Sequence, residues 1–238
     1  MNREYHKWYS TELHRDMETL VFGHGGAPVL VFPTSLAPYF EWEDRGMIAA
    51  LGDRIESGAL QMFCIHGVDS ESWYNRNAHP RARVLRHQQY ERYILTGVLP
   101  FIHMRNQSPD LAVTGCSFGG FHAVNFALRH PDVVTACVSM GGAFDTKQFL
   151  DGYYDEDCYF VSPMDFLPNQ GDEWFLGHYR RRVKWVLATG VHDQCWNANE
   201  QLAAIMRGKG IPVWLDVWGD DTGHDWPWWR HMIRKFFA

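Results

Sequence analysis

Short apolar runs alternate with longer, partly polar stretches along most of the chain. The short runs are rich in β-branched and aromatic residues and end at Gly, Pro or polar residues, which is typical of buried strands. We predict such strands at residues 29–32, 60–65, 111–114, 133–140, 183–189 and 213–217. We predict helices between them at residues 42–55, 81–104, 118–129 and 197–207, and a last helix that begins at Pro227. Strands that alternate with helices predict an α/β fold with a mainly parallel central sheet flanked by helices on both faces.

The N-terminal segment has a different pattern. Apolar and polar residues roughly alternate over residues 5–13 and again over 17–22, and the His-Arg-Asp sequence at 14–16 separates the two stretches. Such alternation predicts strands with one face exposed, so we expect an antiparallel strand pair here. The GHGGAP sequence at 23–28 then predicts a turn before the first buried strand.

Residues 144–180 break the regular alternation. This stretch has no clear periodicity, carries many aromatic residues and is longer than a typical connection. We interpret residues 1–238 as a single domain with 144–180 as an irregular, aromatic-rich insert. The insert is either a lid over a site or a surface segment that packs its own aromatic side chains.

Composition and charge narrow the class of protein. Hydrophobic residues make up 46% and charged residues 21%, as in ordinary soluble globular domains. The net charge is −6 and we expect no cationic cluster, which argues against a nucleic acid partner because phosphate binding needs clustered Lys and Arg. A polar N-terminus and the lack of a long apolar stretch predict a soluble, cytoplasmic protein that neither spans nor binds a membrane.

The cysteines and histidines give no sign of a disulfide framework or a metal. The five cysteines are odd in number and contain no CxxC pair, so we expect reduced thiols. The thirteen histidines include no HExxH sequence, so we expect neither a metal nor a cofactor. We interpret His122, in the helix predicted at 118–129, as a structural residue.

The sequence VTGCSFGGFHA places Ser117 between glycines, at the junction of a predicted strand and a predicted helix. A GxSxG pattern alone is weak evidence, but this context is the one in which a serine occupies a sharp strand-to-helix turn. The helix N-terminus is then directed at the serine, where its free N–H groups stabilise a developing negative charge. We therefore predict that Ser117 is a nucleophile.

A serine hydroxyl reacts at neutral pH only when a base takes its proton and a third group orients that base. His224, in the GHDWP sequence after the last predicted strand, is the candidate base. Asp193, directly after the strand predicted at 183–189, is our choice for the acid, and Asp145 is the competitor. We interpret Asp220, Asp221 and Asp225 as loop charges, too close to His224 in sequence to orient it.

An oxyanion needs two N–H donors, and the residue after the nucleophile, Phe118, should supply the first. The second should come from the FPTSLAP loop, with Leu36 as the better candidate and Ser35 as the alternative. The HGG sequence at 24–26 precedes the strand at 29–32, so we interpret it as a turn. The SESWYN stretch at 70–75 either supplies an aromatic wall of the site or only packs in the core.

Together, the PVLVFPTSL, GCSFGG, FHAVNFALRHPD, GVHD and GHDW sequences resemble the putative-esterase branch of the α/β-hydrolase superfamily. That branch includes S-formylglutathione hydrolases, feruloyl esterases and mycolyltransferases. The resemblance spans nearly the whole chain and implies the α/β-hydrolase fold, with Ser117, Asp193 and His224 as the triad and Leu36 and Phe118 as the oxyanion donors. Many relatives have glycine where this chain has Ser35.

We therefore expect a serine esterase that cleaves a small-molecule carboxylic ester through an acyl-enzyme. The alternatives are an acyltransferase with an alcohol acceptor and a catalytically silent binding module of the same fold. Short-chain, aryl, feruloyl and polyester substrates all stay open. The oligomeric state, including a homo-oligomer, stays open as well.

Overall fold

A mixed sheet of eight strands forms the centre of the protein, in the order β1-β2-β4-β3-β5-β6-β7-β8. It is seen in a computed structural model that describes residues 1–219 and 221–238 in full and residue 220 without its side chain. The strands are β1 (Arg3–Ser10), β2 (Arg15–Phe22), β3 (Ala27–Phe32), β4 (Leu60–Ile65), β5 (Ala112–Cys116), β6 (Ala136–Met140), β7 (Lys184–His192) and β8 (Val213–Gly223). Strand β2 is antiparallel to both of its neighbours, and all pairs from β4 to β8 are parallel. The predicted fold class is confirmed.

The predicted strands are all present, with shifted ends. Strand β1 ends at Ser10 because residues 11–14 form the turn to β2, in which His14 has a φ of 53°. Strand β6 begins at Ala136 rather than at residue 133, since residues 131–133 still belong to the turn after the preceding helix. Strand β8 continues to Gly223, where it pairs with His192 of β7.

Eleven α-helices are found among the described residues. They are α1 (Glu41–Asp44), α2 (Met47–Ala50), α3 (Gly52–Glu56), α4 (Pro80–Tyr93), α5 (Leu99–Arg105), α6 (Phe118–Arg129), α7 (Glu156–Phe160), α8 (Pro163–Phe166), α9 (Glu173–Arg181), α10 (Trp196–Gly208) and α11 (Trp226–Phe236). The helices predicted at 118–129 and 197–207 and the one predicted to begin at Pro227 are confirmed within one residue at each known end.

Two of the predicted helices differ from the observed ones. The single helix predicted at 42–55 is divided into α1, α2 and α3, because Gly46 takes a left-handed φ of 75° that ends α1. The helix predicted at 81–104 is continuous but contains a π-helical turn, Ile94–Val98, between α4 and α5. Pro100 follows this turn, and its missing N–H and bulky ring disfavour regular α-helical hydrogen bonding there.

Contrary to the prediction of an irregular segment, the insert contains α7, α8, α9 and two 3₁₀ turns. These segments are too short to show a helical period in the sequence. Phe149 and Tyr179 of the insert are buried in the main core, whereas Tyr154 and Trp174 are exposed. The lid interpretation stays a prediction.

Two apolar layers cover the sheet. Leu30 and Phe32 of β3 point into the layer formed with α4, α5, α6 and α10, and Val29 and Val31 point into the layer formed with α1, α2, α3 and α11. A strand that is apolar on both sides must be central, which is where β3 lies. None of the helices among the described residues is both long and apolar enough to cross a bilayer.

The expectation that no cationic cluster is present is wrong. The side chains of Arg181, Arg182 and Lys184 are exposed together at the start of β7. They border a surface cavity of about 700 Å³ that also contains Trp214 and Phe236. A net charge sums over the whole chain and does not report where charges segregate.

We expect Leu30→Ala to lower the free energy of unfolding by about 2–5 kcal/mol, because it empties space in a central, fully buried strand. Leu85→Ala is the matched control, since Leu85 lies on α4 with its side chain exposed, and it should change stability by less than about 0.5 kcal/mol. Urea unfolding followed by tryptophan fluorescence measures both. Equal losses in the two variants would contradict the assignment of β3 to the core.

Candidate active site

Ser117 lies in the sharp turn between β5 and α6. Its φ of 54° and ψ of −121° are unusual for a residue with a side chain and indicate local strain. Cys116 before it is completely buried. This is the strained strand-turn-helix geometry that presents a serine hydroxyl above a sheet.

The turn also needs a residue without a side chain at Gly119. A Cβ atom there would lie 2.5 Å from the carbonyl oxygens of Phe32 and Pro33, at the end of β3. Any larger residue would push α6 away from the loop that follows β3. The second glycine of the GxSxG sequence therefore keeps the serine close to the FPTSLAP loop.

The imidazole of His224 joins Ser117 to Asp193. Its Nε2 lies 2.8 Å from Ser117 Oγ and its Nδ1 lies 2.8 Å from Asp193 Oδ1. An ionised carboxylate can only accept, so Nδ1 carries the proton, and Nε2 accepts the hydrogen bond from the serine hydroxyl. The three residues predicted from the sequence are thus brought together, although they come from β5, β7 and the loop after β8.

Asp193 lies in the turn between β7 and α10, with its side chain completely buried. Its Oδ1 also accepts a hydrogen bond from the Cys195 N–H at 2.7 Å. The residue that gives it room is Gly141, whose φ is 58° and whose Cβ, if present, would lie 2.6 Å from Asp193 Oδ2. Our sequence analysis did not identify Gly141, although the Gly-Gly pair after β6 was a signal of close approach.

Trp229 holds the other side of the imidazole. The Trp229 and His224 rings meet edge to face, with centroids 4.9 Å apart, and Trp229 is buried. An aromatic wall of this kind limits rotation of the imidazole. The sequence analysis missed this residue, which lies on α11 five positions after the histidine.

Among the aspartates whose side chains are described, Asp193 is the one that is hydrogen-bonded to His224. Asp145 is exposed and accepts a hydrogen bond from the Lys147 N–H. Asp225 lies in the loop, as predicted, and caps α11 by accepting from the Trp226 N–H. Asp221 is part of β8, so the prediction of a loop position is wrong for this residue. The side chain of Asp220 lies outside the described part of the structure.

The loop after β3 contains the two candidates for the second oxyanion donor, the N–H groups of Ser35 and Leu36. Leu36 has a φ of 62°, and its N–H donates to Asp69 Oδ2 at 3.2 Å. Asp69 is buried and its Oδ1 accepts from His122 Nε2 at 2.9 Å, so His122 has a structural partner, as its interpretation requires. Among the described residues, no acceptor is found for the N–H of Ser35 or of Phe118.

A cavity of about 430 Å³ opens over Ser117. Its aromatic walls include Tyr74, from the SESWYN stretch, and Phe149, from the insert. Both rings pack against Phe118, with centroid separations of 5.7 and 5.3 Å. The SESWYN stretch therefore contributes Tyr74 to the wall of the cavity, while Trp73 of the same stretch is buried in the core.

One group among the described residues has the spacing of metal ligands. Donor atoms of Asp193, Cys195 and His224 lie within 4.8 Å of one another. In this group, Asp193 Oδ1 and His224 Nδ1 already bind each other, which is the arrangement of an acid and a base. The geometry therefore fits proton transfer better than metal coordination.

Comparison with known protein sequences shows the family of the chain. The sequence model of the family described as putative esterase matches residues 10–236, almost the whole chain. No curated protein sequence matches the chain significantly.

Solved structures of similar fold are numerous. A ferulic acid esterase superposes with a TM-score of 0.78 at 18% identity, covering 99% of this chain and 96% of that one. The S-formylglutathione hydrolase of Staphylococcus aureus gives 0.74 at 14% identity, with 99% and 95% covered. That of Agrobacterium tumefaciens gives 0.72 at 15% identity, with 98% and 92% covered.

At such identities the superpositions establish a common fold, and the family match carries the assignment. The chain shares the fold of these hydrolases and belongs to the putative esterase family.

Proposed function

We propose that this protein hydrolyses small-molecule carboxylic esters through an acyl-enzyme, with Ser117 as nucleophile, His224 as general base and Asp193 as the acid that orients it. One observation carries the proposal: His224 is hydrogen-bonded to Ser117 Oγ through one nitrogen and to Asp193 through the other, each at 2.8 Å. This arrangement lets the serine lose its proton as it attacks.

The reaction takes place in two steps. Ser117 Oγ attacks the ester carbonyl carbon while His224 Nε2 takes the hydroxyl proton, and the carbonyl oxygen becomes negatively charged. His224 then gives this proton to the leaving alcohol as the C–O bond breaks, which produces the acyl-enzyme. Water attacks the acyl carbon in the same way, and His224 returns a proton to Ser117 Oγ as the acid departs.

Asp193 favours the charged imidazole in both steps. Its buried carboxylate accepts a hydrogen bond from the Nδ1–H group, and attraction between the carboxylate and the imidazolium is strong where water is excluded. The Cys195 N–H keeps the carboxylate in place.

The negative oxygen needs donors directed into the cavity. The Phe118 N–H lies at the start of α6, where the helix dipole adds to its effect. For the second donor we propose the Ser35 N–H rather than that of Leu36, because Leu36 already donates to Asp69. Ser35 also lines the cavity beside Ser117.

The size of the cavity supports a small substrate, and its aromatic walls support an apolar acyl or alcohol group. Water is the acyl acceptor in this proposal. A silent binding module is disfavoured because all three reacting groups are present and in contact. The cytoplasmic location and the lack of a nucleic acid partner stay predictions.

We expect Ser117→Ala to lower turnover of a 4-nitrophenyl ester by about 10⁴-fold or more, because it removes the hydroxyl that is hydrogen-bonded to His224 and proposed to form the acyl-enzyme. Circular dichroism verifies that the variant is folded. The wild-type protein should be labelled at Ser117 by a fluorophosphonate. A folded variant that keeps its turnover would refute the proposed nucleophile.

The two candidate acids can be separated by one matched pair of variants. Asp193→Asn should lower kcat by about 10⁴-fold, because the amide favours the wrong imidazole tautomer. Asp145→Asn should lower kcat far less, since Asp145 lines the cavity but is hydrogen-bonded to the Lys147 N–H and not to His224. Steady-state kinetics measure both, and the reverse result would transfer the role of the acid to Asp145.

Gly141→Ala should lower kcat by about 10²-fold, because the added Cβ displaces the Asp193 carboxylate and with it the imidazole. Gly208→Ala is the control, since that glycine lies on α10 with no atom within 4 Å of an added Cβ. Kinetics on the same ester, with thermal unfolding alongside, distinguish loss of activity from loss of fold. Full activity in folded Gly141→Ala would show that the carboxylate tolerates displacement.

A further inference from the structure

We propose that the hydroxyl group of Ser35 is a third donor to the oxyanion, in addition to the two N–H groups, and that Tyr74 is the positioning residue that holds it. The inference rests on the proposed acyl-enzyme mechanism and adds a catalytic side chain to it. It starts from a contact between two hydroxyl groups in the wall of the cavity.

The Tyr74 hydroxyl donates a hydrogen bond of 2.7 Å to Ser35 Oγ. A serine hydroxyl has one proton and two acceptor positions. Because Ser35 accepts from Tyr74, its own proton is left to donate to something else. Both residues line the cavity that contains Ser117 and Phe118, so a bound substrate is the available acceptor.

Tyr74 is held firmly enough to orient this proton. Its ring packs at right angles to Phe118 and lies 4.8 Å from the ring of Phe149, centroid to centroid. Burial raises the pKa of the Tyr74 phenol above its usual value, so the group stays protonated and remains a donor at neutral pH. Donation from Tyr74 also polarises the Ser35 O–H, which makes it a better donor in turn.

One of the two candidate N–H groups in the loop after β3 already has a partner. The Leu36 N–H donates to Asp69, whose carboxylate is buried and is also bonded to His122. Turning Leu36 towards the substrate would leave Asp69 Oδ2 without this partner in a buried place, which is costly. The hydroxyl of Ser35 adds a donor from the same loop beside the N–H of that residue.

The geometry of an oxyanion donor has a kinetic consequence that a packing role lacks. The charge on the carbonyl oxygen exists in the transition state and is absent from the bound ester, so the donor affects kcat more than KM. It also stabilises any stable tetrahedral adduct with the same charge. An aryl trifluoromethyl ketone, which adds to a nucleophilic serine to form such an adduct, is a suitable probe.

The test compares four variants in kcat and KM for a 4-nitrophenyl ester and in the inhibition constant of the ketone. We expect Ser35→Ala to lower kcat by about 10²-fold, to change KM by less than about 3-fold and to weaken the ketone by a similar 10²-fold. Ser35→Thr keeps the hydroxyl and should recover most of the kcat that Ser35→Ala loses. Tyr74→Phe should lower kcat by about 10-fold, because the serine proton is no longer oriented.

The fourth variant is the matched control. Tyr153→Phe removes a tyrosine hydroxyl that is bonded to Asp155 of the insert and should leave all three constants unchanged. A kcat for Ser35→Ala within 2-fold of the wild type, or a rise in KM alone, would overturn the inference. If Ser35→Ala gives one of these results while Ser117→Ala is inactive, the role of the Ser35 hydroxyl is wrong and the proposed function stands.

Discussion

The site depends on one imidazole that is hydrogen-bonded at both nitrogens. Each bond fixes the other: the carboxylate of Asp193 determines which nitrogen carries the proton, and only then can the second nitrogen accept from Ser117. The surrounding packing keeps the three side chains in place. Trp229 limits rotation of the His224 ring, and Gly141 leaves space for the Asp193 carboxylate. A substitution at Trp229 or Gly141 therefore affects the same proton, the one that Ser117 donates to His224.

Such an arrangement is costly, and the rest of the fold offsets the cost. Ser117 and Leu36 both hold positive φ values, which residues with side chains avoid. The carboxylates of Asp193 and Asp69 are buried, where each must find partners. These strained and buried groups lie at the ends of strands that are packed on both faces, so the stable core holds the site in a conformation that the local sequence would not adopt alone.

The insert is part of the site rather than an appendage. Phe149 packs against Phe118 and Tyr74, so the wall of the cavity is built from the insert, the segment after β4 and the first turn of α6. A polar layer lies beneath this wall, where Asp69 links the loop after β3 to α6 through Leu36 and His122. The two segments that face the reacting oxygen are thereby connected to each other.

Much of this could be predicted from the sequence because it depends on local pattern. Apolar runs bounded by Gly and Pro identified the strands, and the context of Ser117 identified the turn, since both signals lie within a few consecutive residues. The order of strands placed Asp193 and His224 at the same edge of the sheet, because parallel strands end together. The division of the helix at Gly46 and the helices of the insert were missed, since most of these helices have only four or five residues, too few to show a period.

Only the tertiary structure decided which groups meet. The bond from Leu36 to Asp69, the bond from Tyr74 to Ser35 and the close approach of Gly141 to Asp193 join residues that are 33, 39 and 52 positions apart. No local pattern encodes such contacts, because they depend on the twist of the sheet and on how loops from different strands pack over its edge. The sequence by itself therefore predicted the succession of strands and helices along the chain and the candidate reacting residues, and the packing of distant segments decided which N–H and O–H groups find partners.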